Sequence, residues 1–228
     1  MIQDPPLLTI LRSWERPDPA LVSRLAGAMT GHVIDAMDGA GAMTAGVKPV
    51  DPSRAAFVGV ALPCQTGPGD NLAVMGALAL ARPGDVIVAA ADGFAGAAIM
   101  GDNVAWMARN GGVVALVTDG VVRDAAGIRE IGVPMFAAGI TPNSCARNGP
   151  GRVGLPVVCG GVAVAAGDVL VGDADGVVVV PRAELAAVVA RLEQVLAAER
   201  ALQARIAEGL THMDAIAALL NSERVRYV

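Results

Sequence analysis

The order of helix-forming and strand-forming segments is the feature that most constrains the fold. In the first two thirds of the chain, apolar runs typical of buried strands alternate with segments whose caps and spacing favour helices. Strands are expected at residues 56–62, 86–91, 113–117 and 134–137, and helices at 19–37, 71–81 and 101–112. A β-rich segment follows, with strands expected at 157–159, 162–164, 169–171 and 177–180, whereas residues 1–20 and 141–154 are expected to be irregular. This order predicts an α/β domain with a mixed sheet.

The segment from 101 to 124 is the most informative part of this pattern. Asp102 is the expected N-cap of a short helix, and a buried strand follows that helix at 113–117. A helix that passes into a strand across a tight turn runs antiparallel to it, so the helix start and the strand end lie at the same end of the layer. Asp102, Arg123 and Asp124 are therefore expected to lie close together. Two carboxylates, a guanidinium and a helix N-terminus suit a divalent cation that carries an anionic, oxygen-rich ligand.

The same residues also fit an ordinary surface turn. Gly-Asp occurs five times in the chain, and both residue types favour turns. An Arg-Asp pair after a strand is commonly a solvated loop or a surface salt bridge. The local pattern alone therefore leaves a functional site and a plain loop as open alternatives.

Composition and charge exclude several classes of protein. The 228 residues are 54% hydrophobic, enough for one core with or without an appendage. A net charge of −5 without a basic patch argues against direct binding of nucleic acid. Three cysteines without C-x-x-C spacing predict neither a disulfide framework nor a zinc site. The first 19 residues lack the apolar core of a signal peptide, and no apolar run is long enough for a membrane span, so a cytoplasmic location is the default expectation.

The last third of the chain predicts a long helix from about residue 181 to 208, followed by a short one at 213–220. Six positions at helical spacing are apolar: Leu185, Val188, Leu192, Val195, Leu202 and Ile206. Glu199 interrupts this seam, and a carboxylate there costs free energy unless it is paired. Either Glu199 lies at the wet edge of the seam, or it points at a cation, including one held by a neighbouring subunit.

Several segments together resemble the RraA-like family. Gly-Asp-Asn-Val-Ala stands at 101–105, and Val-Thr-Asp-Gly-Val-Val-Arg-Asp stands at 117–124. Further matching pieces lie at 132–136, 139–142, 156–162 and 167–181. Each piece alone is weak, but their ordered combination is specific, and it spans about residues 26–210.

The resemblance implies a fold and an assembly. The fold is a swivelling β/β/α-type α/β domain with a mixed sheet and a long C-terminal helical arm. In this chain an N-terminal arm would cover residues 1–20, the RraA-like domain 21–181, and the helical arm 182–228, which would pack on a neighbouring subunit. Members of the family that are aldolases form trimers or pairs of trimers, so the resemblance implies a homotrimer or hexamer.

The family has two functional branches. One contains divalent-metal aldolases that act on 4-hydroxy-4-methyl-2-oxoglutarate and 4-carboxy-4-hydroxy-2-oxoadipate, and these enzymes also decarboxylate oxaloacetate. The other contains regulators that bind and inhibit RNase E, and these commonly lack the Asp after the Arg. Arg123-Asp124 and the loop at 101–104 favour the aldolase branch. A non-catalytic RNase E regulator-like protein is the alternative, and a divergent metal lyase for another 2-oxo or hydroxy acid is a third possibility.

The resemblance also assigns roles to the charged residues. Asp124 resembles the direct ligand of Mg²⁺ or Mn²⁺, and Asp102 resembles the acid that holds water on that cation. Glu199 falls where a Glu from the adjacent subunit completes the water shell. Arg123 resembles the arginine that binds the 2-oxo acid substrate and stabilises the enolate.

The helix start is implied to receive the substrate carboxylate. Gly101, Asn103 and Val104 form this loop, and the backbone N–H groups of Asn103 and Val104 would be the donors. The sequence does not identify the general base. Neither His32 nor His212 lies in a ligand-spaced cluster, which favours structural roles for both.

Overall fold

The structure is a computed structural model that describes residues 4–228. Within that range the chain forms thirteen strands: β1 Leu8–Ile10, β2 Lys48–Pro49, β3 Phe57–Gln65, β4 Asp85–Ala90, β5 Ala115–Thr118, β6 Val121–Val122, β7 Met135–Ala137, β8 Gly139–Ile140, β9 Gly151–Val153, β10 Val157–Cys159, β11 Val162–Val164, β12 Val169–Asp173 and β13 Gly176–Val180. The α-helices of the same range are α1 Pro19–Ser23, α2 Thr30–Ala36, α3 Leu72–Leu80, α4 Asp102–Asn110, α5 Ala125–Ile131, α6 Leu185–Ala207 and α7 Asp214–Leu220.

Nine strands form one mixed sheet, which confirms the predicted α/β class. Strands β3, β4, β5 and β7 are parallel neighbours in its centre. Strands β9 and β12 pair antiparallel with β3, and β2 pairs antiparallel with β7. The central parallel strands direct their carboxyl ends to a single edge of the sheet.

Both faces of the sheet are covered, and β4 shows why its sequence after Asp85 is apolar. Its side chains alternate between two cores because successive residues of a strand point to opposite faces. Ile87 and Ala89 pack under α3, α4 and α5, whereas Val86 and Val88 pack under the β10–β11 hairpin. A strand buried on both faces has no solvent side to leave polar.

The first half of α6 is anchored to the rest of the domain. Leu185, Val188 and Leu192 pack with α2 and with the β12–β13 pair in a third apolar cluster. Arg191 donates two hydrogen bonds to Asp38, and this guanidinium holds the pKa of the Asp38 carboxyl below its ordinary value. Beyond this region the predicted seam is uncovered within the chain, since Ile206 is 54% exposed. The described residues of α7 include none that are buried.

Two predictions about elements were wrong, and one α-helix was not predicted. The helix expected at 19–37 is two short helices, α1 and α2, because the chain turns at Gly27, whose φ is +75°. The N-terminal arm and the 141–154 loop each contribute a strand, since β1 pairs parallel with β9. The sequence patterns also gave no indication of α5, which begins directly after Asp124.

No helix within residues 4–228 is both long enough and apolar enough to cross a membrane.

Candidate functional site

A cavity of about 490 Å³ opens where the parallel strands β3, β4 and β5 end. Asn71 follows β3, residues 98–104 follow β4, and Arg123 and Asp124 follow β5, and all of them line this cavity. Ligands of open α/β sheets bind at this edge, outside the carboxyl ends of the strands. The lining includes six residues that the sequence predicted for substrate or metal binding: Gly101, Asp102, Asn103, Val104, Arg123 and Asp124. The antiparallel helix–strand unit thus brings them together, and their chemical roles stay predictions.

Arg123 is held by contacts at both ends of its length. Its backbone N–H donates to the carbonyl of Met100 at 3.0 Å, which ties the end of β6 to the segment before α4. Its Nε lies 3.1 Å from Asp124 Oδ2, and its Nη1 donates to Ser144 Oγ. The side chain is 39% exposed, so the guanidinium is fixed in direction while it stays open to a ligand.

Asp124 has an unusual backbone. Its φ of 58° and ψ of 41° are left-handed, a conformation that costs a residue other than glycine about 1–3 kcal/mol. It occupies the N-cap position of α5, yet its side chain does not cap that helix. The carboxylate is 42% exposed and lies at the cavity, where the left-handed turn places it. Strain of this kind at a cavity favours a functional interpretation of the residue.

Asp102 is the first residue of α4, and the N-cap is Gly101, so the predicted cap was displaced by one position. Asp102 Oδ1 accepts a hydrogen bond from the backbone N–H of Asn103 at 2.6 Å. A carboxylate in the first turn also interacts favourably with the helix dipole. This N–H, which the resemblance assigns to the substrate carboxylate, is therefore directed at Asp102 in the structure.

Position 101 needs glycine because a larger side chain has no room there, and not because of the backbone angles. Its φ of −151° is extended and accessible to any residue. A Cβ at this position, however, would lie 2.7 Å from Asp124 Oδ2 and 3.2 Å from Arg123 Cγ. Only glycine lets the segment before α4 pass this close to the Arg-Asp pair.

A second guanidinium lies at the cavity, and the sequence patterns did not indicate it. Arg147 lines the cavity, and its Nε donates to Asn71 Oδ1 at 3.2 Å. Asn71 in turn donates through Nδ2 to the carbonyl of Ile99 at 3.3 Å. The site therefore combines two arginines with two aspartates, which suits a ligand that bears more than one negative group.

Asp70 places the loop that carries Arg147. This carboxylate is 6% exposed and accepts from the backbone N–H groups of Leu72 at 2.8 Å, Asn148 at 2.5 Å and Gly149 at 3.1 Å. A signal for this arrangement existed in the sequence. Gly-Asp-Asn opens α3 at residues 69–71 and opens α4 at 101–103, so the same tripeptide follows two neighbouring parallel strands.

Cys145 also lines the cavity, and burial raises the pKa of its thiol above the ordinary value. Burial likewise raises the pKa of Cys64, to about 12. Both thiols are free in the structure. Cys145 therefore faces the cavity as a neutral thiol at neutral pH, a weak nucleophile.

Glu199 is not part of this cavity within the chain. It lies on α6 beyond the anchored segment, and its Oε1 accepts from Gln203 Nε2 at 3.0 Å. It is thus at the boundary between the packed and the uncovered parts of the apolar seam.

The donor set at the cavity fits a hard divalent cation that keeps much of its water. Within residues 4–228 no three His, Cys, Asp or Glu side chains form a metal-binding group. Two carboxylates, Asp102 and Asp124, do line the cavity, and Mg²⁺ is commonly held by one or two carboxylates plus waters and substrate oxygens. The residues present therefore suit Mg²⁺ or Mn²⁺ better than zinc, which favours nitrogen and sulfur ligands.

Comparison with known proteins supports the resemblance seen in the sequence. Residues 30–179 match the RraA-like family, described as Aldolase/RraA. A protein of Halalkalibacterium halodurans with the provisional name 4-hydroxy-4-methyl-2-oxoglutarate aldolase is 41% identical over 152 residues, which are 67% of this chain and 72% of that protein.

Two solved structures share the fold. That of Streptomyces coelicolor RraAS2, described as an unusual member of the RNase ES inhibitor RraA protein family, is 30% identical with a TM-score of 0.75, covering 83% of this chain and 100% of that one. That of the RNA-processing inhibitor RraA from Thermus thermophilis is 30% identical with a TM-score of 0.62, covering 68% of this chain and 93% of that one.

Proposed function

Because this chain belongs to the RraA-like family, we propose that it is a divalent-metal-dependent aldolase. The substrate is 4-hydroxy-4-methyl-2-oxoglutarate or 4-carboxy-4-hydroxy-2-oxoadipate, and cleavage between C3 and C4 releases pyruvate. Decarboxylation of oxaloacetate would accompany this activity. The observation that carries the proposal is the Arg123–Asp124 pair in one cavity with Asp102, at the carboxyl ends of the parallel strands.

Arg123 has a defined task in this reaction. When the C3–C4 bond breaks, its electron pair stays with the pyruvate fragment, and negative charge develops on the 2-oxo oxygen. The 4-hydroxyl proton leaves, and C3 later gains a proton. A guanidinium has a permanent charge and planar donors, so Arg123 stabilises the developing charge without having to reorganise.

The other residues at the site would bind the cation and the substrate and would orient a water molecule. A divalent cation held by Asp124 would supply Lewis-acid stabilisation of the same negative charge when bound. Asp102, together with Glu199 of a neighbouring copy, would orient the water that returns a proton to C3. The start of α4 would receive one substrate carboxylate, and Arg147 is placed to pair with a second.

The arm formed by α6 and α7 would complete the site from a neighbouring copy in a homotrimer or hexamer. Two observations support this. Glu199 lies outside the cavity of its own chain, and the apolar residues beyond it are exposed: Ile206, Ile216 and Leu220 are 54%, 46% and 47% exposed. An apolar seam that continues past the domain is stabilised only if another surface covers it.

The deciding experiment is pyruvate release from 4-hydroxy-4-methyl-2-oxoglutarate and from oxaloacetate, measured with Mg²⁺ and again with EDTA. Metal-dependent release above a protein-free blank is the expected result, and the ratio of the two rates ranks the substrates. Absence of release from both compounds and from 4-carboxy-4-hydroxy-2-oxoadipate, in the presence of Mg²⁺ and Mn²⁺, would reject the aldolase.

A regulator of RNase E is the second candidate function. The similarity to the Streptomyces coelicolor and Thermus thermophilis structures, whose descriptions name RNA-processing inhibitors, favours it. This function requires a complex with the ribonuclease that persists in EDTA and no turnover of 2-oxo acids. The aldolase requires the opposite result in both assays.

A further inference from the structure

A glycine in α5 determines how closely Asp102 can approach that helix. Gly127 is the third residue of α5. A Cβ on Gly127 would lie 2.8 Å from Asp102 Cβ, 3.0 Å from its Oδ2 and 3.4 Å from its Cγ. Carbon atoms attract at about 3.5–4.0 Å and repel at shorter range. A side chain at position 127 and the Asp102 carboxylate therefore cannot both keep their places.

Local structure gives no other reason for glycine at this position. Gly127 lies inside a regular helix, and its φ is not among the left-handed values of the chain. Glycine in a helix interior is less favourable than alanine. Glycine at position 127 therefore makes α5 less stable than alanine would, but it leaves room for Asp102 to pack against the helix.

The same helix also carries the other carboxylate. Asp124 is the N-cap of α5, and its carbonyl accepts from the N–H of Ile128 at 3.0 Å, in the first turn that contains Gly127. On the facing segment, Gly101 makes the reciprocal contact with Asp124. Gly101, before α4, thus lets Asp124 lie in close contact with that segment. Gly127, in α5, lets Asp102 lie in close contact with that helix.

We propose that Gly127 is a positioning residue that fixes the Asp102 carboxylate against α5, at the separation from Asp124 that binding of one divalent cation requires. The proposal rests on the proposed function and deepens it, because it names what sets the geometry of the two carboxylates. A methyl group at position 127 displaces Asp102 and leaves the chemical identity of every charged group at the cavity unchanged.

The test compares the binding of Mn²⁺ to the full-length wild-type protein and to Gly127→Ala, by titration calorimetry without substrate. The Kd is expected to rise about 10–100-fold, the usual effect of disturbing groups that orient a metal site. Gly31→Ala is the matched control, because Gly31 lies in α2 and a Cβ there would meet nothing within 4 Å. Its Mn²⁺ affinity should equal that of the wild type.

A double variant tests whether the effect passes through Asp102. Asp102→Gly removes both the carboxylate and the Cβ that Gly127 faces, so adding Gly127→Ala should change the remaining Mn²⁺ affinity less than about twofold. If Gly127→Ala alone does not fold, the double variant should fold, because the clash is gone. An equal loss in the Asp102→Gly background, or a double variant that also fails to fold, would overturn the proposal.

Two further outcomes separate this inference from the proposed function. Wild-type affinity in Gly127→Ala would reject the positioning role and leave the metal site and the aldolase in place. Failure of the wild-type protein to bind Mn²⁺ would reject the metal-dependent function and this inference together.

Discussion

Arg123 Nε lies 3.1 Å from Asp124 Oδ2, although the two residues are adjacent in sequence and their side chains leave different elements. Arg123 follows β6, whereas Asp124 begins α5, and the left-handed backbone of Asp124 turns its carboxylate back toward the guanidinium. A single residue in an unfavourable conformation thus creates a charge pair at the cavity.

This geometry predicts that a substitution at position 124 can abolish activity while it leaves the stability of the fold unchanged. Asp124→Gly removes the carboxylate but suits the left-handed backbone, so the free energy of unfolding should stay within about 1 kcal/mol of the wild type. Activity and Mn²⁺ binding should be lost. Asp92→Gly is the control, because Asp92 is exposed, is outside the cavity lining and has a φ of 50°. Denaturant unfolding and pyruvate release measure both quantities, and an active Asp124→Gly protein would refute the metal-ligand role.

Arg123→Lys should keep the charge and lose the reaction rate. A lysine has one point donor in place of the planar fork, so kcat should fall about 10²–10³-fold, the range for loss of one preorganised donor to a developing negative charge. Steady-state kinetics give kcat and KM separately. Arg152→Lys, an exposed arginine of β9, should behave as the wild type. An unchanged kcat in Arg123→Lys contradicts the proposed task of the guanidinium.

Asp70→Asn should weaken both the fold and the substrate site. The buried carboxylate accepts from three backbone N–H groups, and an amide places donors against some of them. We expect a loss of about 2 kcal/mol in the free energy of unfolding and a higher KM, because the loop that carries Arg147 shifts. Asp51→Asn serves as the control, since the Asp51 carboxylate accepts from Ser53 in a turn that does not line the cavity. An unaltered KM would show that the loop is placed by other contacts.

Glu199 can be tested by mixing two inactive proteins. If each site combines Asp124 of one copy with Glu199 of the next, then Asp124→Ala and Glu199→Gln chains reassembled at equal amounts form intact sites. Random mixing gives about one quarter of wild-type activity in a closed ring of copies. The variant with both changes in one chain, treated in the same way, should stay inactive. No recovery in reassembled oligomers would place Glu199 outside the catalytic site.

The elements that sequence could predict are those whose signals are local. Strand β4 contains a continuous apolar run, and the long helix α6 has an apolar period that persists over several turns. The short α4–β5 connection forces those two elements antiparallel. That constraint alone predicts that Asp102 lies near Arg123 and Asp124, and all three line the cavity. The predicted helix stop and strand start near this turn were correct to within two residues.

The missed elements depend on partners far away in sequence. Strand β1 is three residues long and forms against β9, more than 140 residues later, so its own pattern is too short to predict it. Arg147 reaches the cavity because Asp70 binds the backbone of its loop from a distant helix start. Non-local hydrogen bonds of this kind leave no periodic trace in the sequence.

The two Gly-Asp-Asn segments, at residues 69–71 and 101–103, show that the surroundings of an aspartate determine its role. Asp70 and Asp102 stand in neighbouring strand–helix junctions, yet Asp70 is buried and accepts from three backbone amides, whereas Asp102 accepts from one and lines the cavity. At the first junction, the loop that carries Asn148 and Gly149 supplies two of the three amides. An engineer who wished to convert a structural carboxylate of such a sheet into a reactive one would remove its loop, and one who wished to silence an active site would graft a loop onto it.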